Sequence, residues 1–345
     1  MGDFYFPKNK KRKINSYCKI LSTAHFLPQE HISNEDIINK YDLPFKSSTI
    51  YKALGVEKRH IADESWEDSD VLLKSAKKCL DDYGISVDDL SKLIVNKYIG
   101  DNILPMTASR LQGKLGSNTA MHAFDIDGGI SSFLHSLDLI SAYINTGDKY
   151  IILSSGGIYR RFINKKDPRV SFLFGDASAS ILFGQANEKH FLASYMYSNY
   201  NYYHASVSLS AISAKEAGTS SENQLAYVYD NYHMDNWKIA EDFYRQASME
   251  ITKNLFEQSG LKMDEIDIVL VTENNKRIWE LTLETIGVSE DKSISLLKNY
   301  GNTMSAMLPL LLDEGIRSGI IQEGMNVLMI SHGEGMSGGG IVYKV

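Results

Sequence analysis

Two thiols, nine imidazoles and four glycine-bearing stretches are the places where this 345-residue chain could do chemistry. Cys18 lies in Tyr17-Cys18-Lys19-Ile20-Leu21 and Cys79 in Ala76-Lys77-Lys78-Cys79-Leu80. Both sit in apolar patterns, as buried thiols acting as small hydrophobes do. The count supports neither a disulfide framework nor a zinc site of finger type. The histidines show no ligand spacing, so no metal centre is expected. The stretches come in one order. Ala123-Phe124-Asp125-Ile126-Asp127-Gly128-Gly129-Ile130-Ser131-Ser132-Phe133 runs from a strand through small residues into a helix. Phe174-Gly175-Asp176-Ala177-Ser178-Ala179 follows. Tyr300-Gly301-Asn302-Thr303 opens a helix, a position that suits asparagine. Ser331-His332-Gly333-Glu334-Gly335-Met336-Ser337-Gly338-Gly339 precedes the last strand.

The elements that must position these stretches alternate. Leu72, Leu73, Ala76, Cys79 and Leu80 recur at helical spacing over 66–83, and Gly84 stops the helix. Helical patterns recur over 106–115, 131–146, 236–259, 276–286 and 303–317. Short apolar runs predict strands at 18–24, 93–95, 123–126, 150–153, 172–174, 179–183, 268–271, 327–330 and 340–343. Strand–helix alternation implies α/β layering with helices covering the sheet faces. The chain reads as a basic flexible tail over 1–15, followed by two similar halves, 16–185 and 186–345. Residues 191–235 break the pattern: they are rich in tyrosine and serine. Such a segment reads either as a lid or binding loop, or as an ordinary surface excursion.

Bulk properties bound the function. A net charge of -7 is a poor basis for holding polyanions, so no nucleic-acid partner is expected. No apolar run approaches the ~18–20 residues of a membrane span, and the N-terminus opens with polar and basic residues. A cytoplasmic protein is expected. The 43% apolar content is ample for a large core.

The four stretches, with Gly55-Val56-Glu57-Lys58-Arg59-His60-Ile61 before them, resemble the β-ketoacyl-carrier-protein synthase III family of the thiolase superfamily. The resemblance runs from about Tyr17 to Val345. It implies a five-layered α/β/α/β/α thiolase fold built from two similar halves. It also implies a Cys-His-Asn triad acting on acyl-CoA and carrier-protein thioesters, with no cofactor. The family's cysteine sits where a strand turns into a helix, so that the dipole favours its thiolate. Its backbone N–H and one from the late glycine-rich loop form an oxyanion hole.

The gap-free match departs from that triad. The cysteine position is Ile130, which has no lone pair. Ser131 and Ser132 lie about 100° and 200° further around a helix and would need an adjacent base. The histidine position, in Val271-Thr272-Glu273-Asn274-Asn275, is Thr272. Glu273 beside it suits compensation of a helix dipole. Asn302 alone remains of the triad. The family's stacking tryptophan and phosphate-binding arginine match Thr49 and Ala53. Arg160 and Arg161 match a basic residue of the thioester entrance, or are a solvated pair. His332, where the family often has phenylalanine, is a candidate replacement base or a hydrogen-bonded loop residue.

Two functions follow from the resemblance. One is a non-catalytic or allied subunit of an acyl-transferring or condensing complex in fatty-acid-like, polyketide or other specialised-metabolite biosynthesis. It would form a homodimer, or a heterodimer with an intact ketosynthase, with acyl carrier protein as a further partner. The other is an acyltransferase or condensing enzyme acting non-covalently through Asn302, His332 and the oxyanion hole, with proximity supplying the rate.

Overall fold

The computed structural model describes residues 4–7, 16–102, 104–127, 129–163, 165–198, 207–209, 231–233 and 237–345. Thirteen strands and ten α-helices are described. The strands are β1 (Cys18–Phe26), β2 (His31–Ser33), β3 (Lys58–His60), β4 (Lys92–Lys97), β5 (His122–Asp127), β6 (Tyr150–Gly157), β7 (Ala177–Gln185), β8 (Phe191–Tyr197), β9 (Val207–Leu209), β10 (Asn231–His233), β11 (Ile268–Val271), β12 (Asn326–Gly333) and β13 (Ser337–Lys344). The helices are α1 (Asn34–Tyr41), α2 (Ser47–Leu54), α3 (Asp68–Tyr83), α4 (Thr107–Lys114), α5 (Ser132–Asn145), α6 (Pro168–Ser171), α7 (Trp237–Ser259), α8 (Lys276–Ile286), α9 (Leu297–Tyr300) and α10 (Met307–Arg317).

Two sheets form the frame. The first has the order β1-β7-β6-β4-β5, and the second β11-β12-β13-β8. Their strands are apolar on both faces, as sandwiched strands must be. Along β4, Ile94 joins the central core while Leu93 and Val95 face the other way. The central core holds α5 and α10 between the sheets, with Leu134, Leu137 and Ile140 meeting Leu308, Leu311 and Leu312. Helices α3 and α4 cover the outer face of the first sheet through Leu72, Ala76, Ala108 and Leu111. Helices α7 and α8 cover the second through Phe243, Ile251, Ile278 and Leu281. The result is helix, sheet, helix, sheet, helix, the five-layered architecture the sequence implied.

Local chemistry explains these placements. Helix α3 starts with a reciprocal Glu67–Asp70 capping box and stops at Gly84, φ 82°. It lies close on the sheet because β7 offers small residues beneath it. Ser178 Oγ donates to Val71 O at 2.7 Å, and Ser180 Oγ meets Ser75 Oγ at 2.8 Å.

Three expectations change. Residues 172–174 form no strand: Leu173 O accepts from Asn302 N at 2.8 Å, and Gly175 N donates to Asn302 O at 3.0 Å. Their backbone is committed to the Asn302 turn instead of a ladder. The segment 191–235 begins with a core strand, since β8 pairs antiparallel with β13, and β9 pairs with β10. The rest of that segment lies outside the described residues. The 1–15 tail is docked at its start. The Phe4 ring lies 5.2 Å from Phe243, Phe6 lies 5.2 Å from Tyr197, and Tyr195 Oη donates to Pro7 O. Its basic run, 8–15, lies outside the described residues. The sequence also gave no warning of α1, α2 and the β2–β3 pair. No helix among the described residues is long and apolar enough to cross a membrane.

Candidate functional site

Strand β5 ends at Asp127, and Gly129 takes φ 66° to swing the chain into α5. Ile130 therefore sits at the turn, where the triad's nucleophile was expected. It is 6% exposed and belongs to an apolar cluster with Val56, Tyr159, Leu173, Phe174, Leu297 and Met304. Burial pushes the Tyr159 phenol far above its usual range. The two serines turn elsewhere, as helical geometry requires. Ser132 Oγ donates to Asn96 Oδ1 at 2.6 Å. Ser131 Oγ lies against the late loop, within 2.8 Å of where a Cβ on Gly333 would be.

The Asn302 turn is held by close backbone approach. A Cβ on Gly175 would come within 2.1 Å of Tyr300 O, and one on Gly301, φ 68°, within 2.7 Å of Leu173 O. Asn302 is 2% exposed. Its Oδ1 accepts from Met304 N at 2.8 Å, and its Nδ2 donates to Asn274 O at 3.3 Å. Both ends of the amide are thus spent on main chain.

Thr272 follows β11, and its Oγ1 accepts from His332 N at 3.1 Å. Asn274 Nδ2 donates to His332 O at 2.8 Å. Thr272, Asn274, Asn302 and the His332 backbone are thereby brought together. The His332 ring is not. Alternation along β12 sends it to the outer face, between α7 and α8. There its Nε2 lies 3.3 Å from Ser248 Oγ and 3.1 Å from Thr282 Oγ1, and its ring packs edge-on to Tyr244. Both hydroxyls donate to carbonyls one turn back, Tyr244 O and Ile278 O. Full burial lowers the imidazole from 6.5 to about 3. The expectation of a replacement base is corrected: the ring is a neutral core group on the wrong side of the sheet.

Glu273 is fully buried and turned away from Asn302. It accepts from Leu296 N at 2.8 Å, Leu297 N at 3.1 Å and the Ser295 hydroxyl. Burial raises its carboxyl to about 7 against the pull of those donors. It therefore fixes the start of α9, which agrees with a helix-terminus role, although on a different helix from its neighbour α8. Thr49 and Ala53 occupy the exposed face of α2.

The arginine pair is split. Arg161 is exposed and donates to Trp66 O. Arg160 is 8% exposed, and its Nη1 donates to Ser171 O at 3.1 Å and Phe174 O at 3.4 Å. Buried behind loop 171–174, Arg160 is corrected from a solvated entrance residue to an interior cation. Cys18 and Cys79 are free and buried, and burial pushes each thiol up to about 12. Among the described residues no group of three His, Cys, Asp or Glu could hold a metal. Sequence reasoning missed the polar chain in which Ser132 Oγ donates to Asn96 Oδ1, Ser305 Oγ donates to Asn96 O, and Tyr159 Oη meets Ser305 Oγ. It joins residues from four separated segments and has no local signature. The side chains packed around Ile130 in its cluster are Val56, Tyr159, Ile163, Val170, Leu173, Phe174, Leu297 and Met304.

Comparison with known proteins agrees with the fold and the order of the stretches. The sequence model described as 3-oxoacyl-[acyl-carrier-protein] synthase III matches residues 124–199, and its C-terminal counterpart matches residues 256–345. The β-ketoacyl-[acyl-carrier-protein] synthase III of Neisseria gonorrhoeae is 28% identical over 330 residues, covering 95% of this chain and 99% of the relative. That of Streptococcus sanguinis is 28% identical over 334 residues, covering 96% and 100%. The 3-oxoacyl-[acyl-carrier-protein] synthase III of Aquifex aeolicus superposes with a TM-score of 0.83 at 23% identity, covering 95% of this chain and 100% of that one. The Thermus thermophilus enzyme gives 0.83 at 22% identity, covering 94% and 98%. Over nearly its whole length the chain is similar to the 3-oxoacyl-[acyl-carrier-protein] synthase III family, and it has the thiolase fold.

Proposed function

We propose that this chain is a ketosynthase III-like subunit without acyl-enzyme chemistry of its own, working beside an intact ketosynthase in fatty-acid-like or polyketide priming. The observation that carries this reading is Ile130. It fills the nucleophile turn with a branched apolar side chain sealed by Tyr159, Phe174 and Met304. An acyl thioester needs a thiolate there, and the chain's two thiols are buried elsewhere. Relatives named as carrier-protein synthases, and a structural neighbour titled a priming β-ketosynthase of a polyketide pathway, point to the setting.

Pairing fits the exposed edge of the first sheet. Among the described residues strand β5 has a neighbour only on its β4 side, and its Phe124 and Ile126 are half-buried apolar residues. Leu104 and Met106, 78% and 38% exposed, stand on the loop beyond β4, near the same end of the sheet. A second chain adding its own β5 would satisfy that edge and cover this surface. A non-covalent enzyme would have to work with an Asn302 amide already committed to Asn274 O and Met304 N and with an imidazole on the far face of β12.

The test is co-expression with an intact ketosynthase from the same gene neighbourhood, native mass spectrometry of the product, and turnover assays. A mixed complex is expected, with Asn302→Ala and His332→Ala leaving its rate nearly unchanged. Condensation of acyl-CoA with a carrier-bound acyl group by this chain alone would overturn the reading.

A further inference from the structure

The N-terminal half holds a cavity apart from the Ile130 cluster. It encloses about 710 Å³, is partly open to solvent, and is lined by Tyr41 and Lys40 of α1, the loop Ile61–Glu64, Ile158, Arg160, Arg161, Lys165, Asp176, Glu30 and Ile32. Neither Ile130 nor Asn302 lines it, and neither do Thr49 and Ala53 of α2.

Its floor holds a buried guanidinium. Arg160 is more than nine-tenths buried, lines the cavity and has no carboxylate within ion-pair distance among the described residues. Only its Nη1 has partners, the two carbonyls already named; its Nε and Nη2 bond to no described residue. Behind it Arg59 is wholly buried, its Nη1 donating to Ile32 O and its Nη2 to Asn34 Oδ1 and Phe172 O. Asp176 is a buried carboxylate at the floor, engaged by main chain, with Oδ2 accepting from Ala62 N at 3.0 Å and Oδ1 from Arg160 N at 3.2 Å. A second buried carboxylate, Asp68, stands behind Ile158, whose N donates to its Oδ1 at 3.2 Å.

The rim carries both signs: Lys40, Arg161 and Lys165 with Glu30, Asp63 and Glu64. Asp63 is occupied by Ser65, whose N and Oγ it accepts. Lys165, Glu30 and Glu64 have no side-chain partner among the described residues.

We propose that this cavity binds a small carboxylate whose far end carries an amino group. The planar Nε–Nη2 edge of Arg160 matches the two oxygens of a carboxylate, and Tyr41, which stands by the guanidinium, adds a hydroxyl donor. With the carboxylates of Asp176 and Asp68 close behind the guanidinium, a monoanion meets less repulsion there than a phosphate dianion. Glu30 and Glu64 at the rim receive the cationic end. The volume falls in the range of small-molecule sites. This site is independent of the Ile130 turn and stands whether or not the chain is catalytic.

The experiment is calorimetric titration of the full chain at fixed ionic strength with three probes: 4-aminobutyrate, acetate and inorganic phosphate. The expected order of affinity is aminobutyrate, then acetate, then phosphate. Arg160→Lys keeps the charge and removes the fork, and should weaken aminobutyrate at least about tenfold. Should Arg160→Lys unfold, Tyr41→Phe and Glu30→Gln/Glu64→Gln, all near the mouth, provide the reading: each should weaken aminobutyrate, and the glutamine pair should leave acetate unchanged. Absence of heat with all three probes, phosphate binding tighter than both carboxylates, or unchanged affinity in these variants would overturn the proposal.

Discussion

Replacing Ile130 with alanine tests whether the nucleophile turn has become core. Ile130→Ala removes three carbons beyond Cβ. At ~0.8 kcal/mol for each buried carbon, the transfer cost is about 2.4 kcal/mol. The residue is 6% exposed and its neighbours come from α9, the Asn302 turn and the 158–174 segment, elements pinned by their own hydrogen bonds. The space will therefore collapse only in part, and the total should be about 3 kcal/mol. With an unfolding entropy of about 2.1 cal/mol/K per residue, a cooperative chain of 345 residues would lose about 4 °C in Tm. Differential scanning calorimetry, with urea unfolding as a second measure, reads this directly. A loss below about 0.5 kcal/mol with unchanged m-value would refute the reasoning, because it would mean that Ile130 faces open space that a substrate could use.

Three further outcomes follow from named groups. The His332 imidazole is held at about 3 in the fold against 6.5 ordinarily. A depressed folded pKa means that the unfolded chain takes up the proton first. Stability should therefore be full above about 6.5 and fall toward about 3 by up to ~1.4 kcal/mol per pH unit; in His332→Phe that part of the acid sensitivity should vanish, and an unchanged pH profile would contradict the buried ring. Incubation with acyl-CoA and acyl-carrier substrates should leave the intact mass unchanged, and an adduct on Ser131 or Ser132 would place a nucleophile where the structure has none. Ile126→Asp on the free edge of β5 should shift sedimentation from dimer to monomer, and a dimer that ignores the change must pair elsewhere.

Much of the frame was legible because its signals are local. The runs at 268–271 and the helical stripe at 276–286 match β11 and α8 in the structure. The place of Ile130 at the strand-to-helix turn could likewise be read by register, since β5 and α5 flank it where the pattern put them. What stayed hidden depends on tertiary placement. The apolar run Phe172-Leu173-Phe174 has strand character, yet its neighbours are the Asn302 turn and α1–α2, and no propensity encodes that. The sequence places His332 in the loop, and only the alternation of β12 decides which face receives its ring. Arg160 looked like a surface cation because sequence does not show the carbonyls of Ser171 and Phe174 that enclose it.

Docking of Phe4 and Phe6 against Phe243 and Tyr197 sets an order of events for a chain made from its N-terminus. Those two rings are made well before α7, and their resting place is not complete until α7 has been synthesised and laid on the second sheet. During that interval the first residues must remain available while the first half folds behind them. Phe4 and Phe243 stand 239 residues apart, so bringing them together closes a long loop at a correspondingly large entropy cost. An N-terminal affinity tag would consequently sit on the outer face of the C-terminal half, the layer that holds the His332 ring, whereas a C-terminal tag would leave from the end of β13 beside Met325.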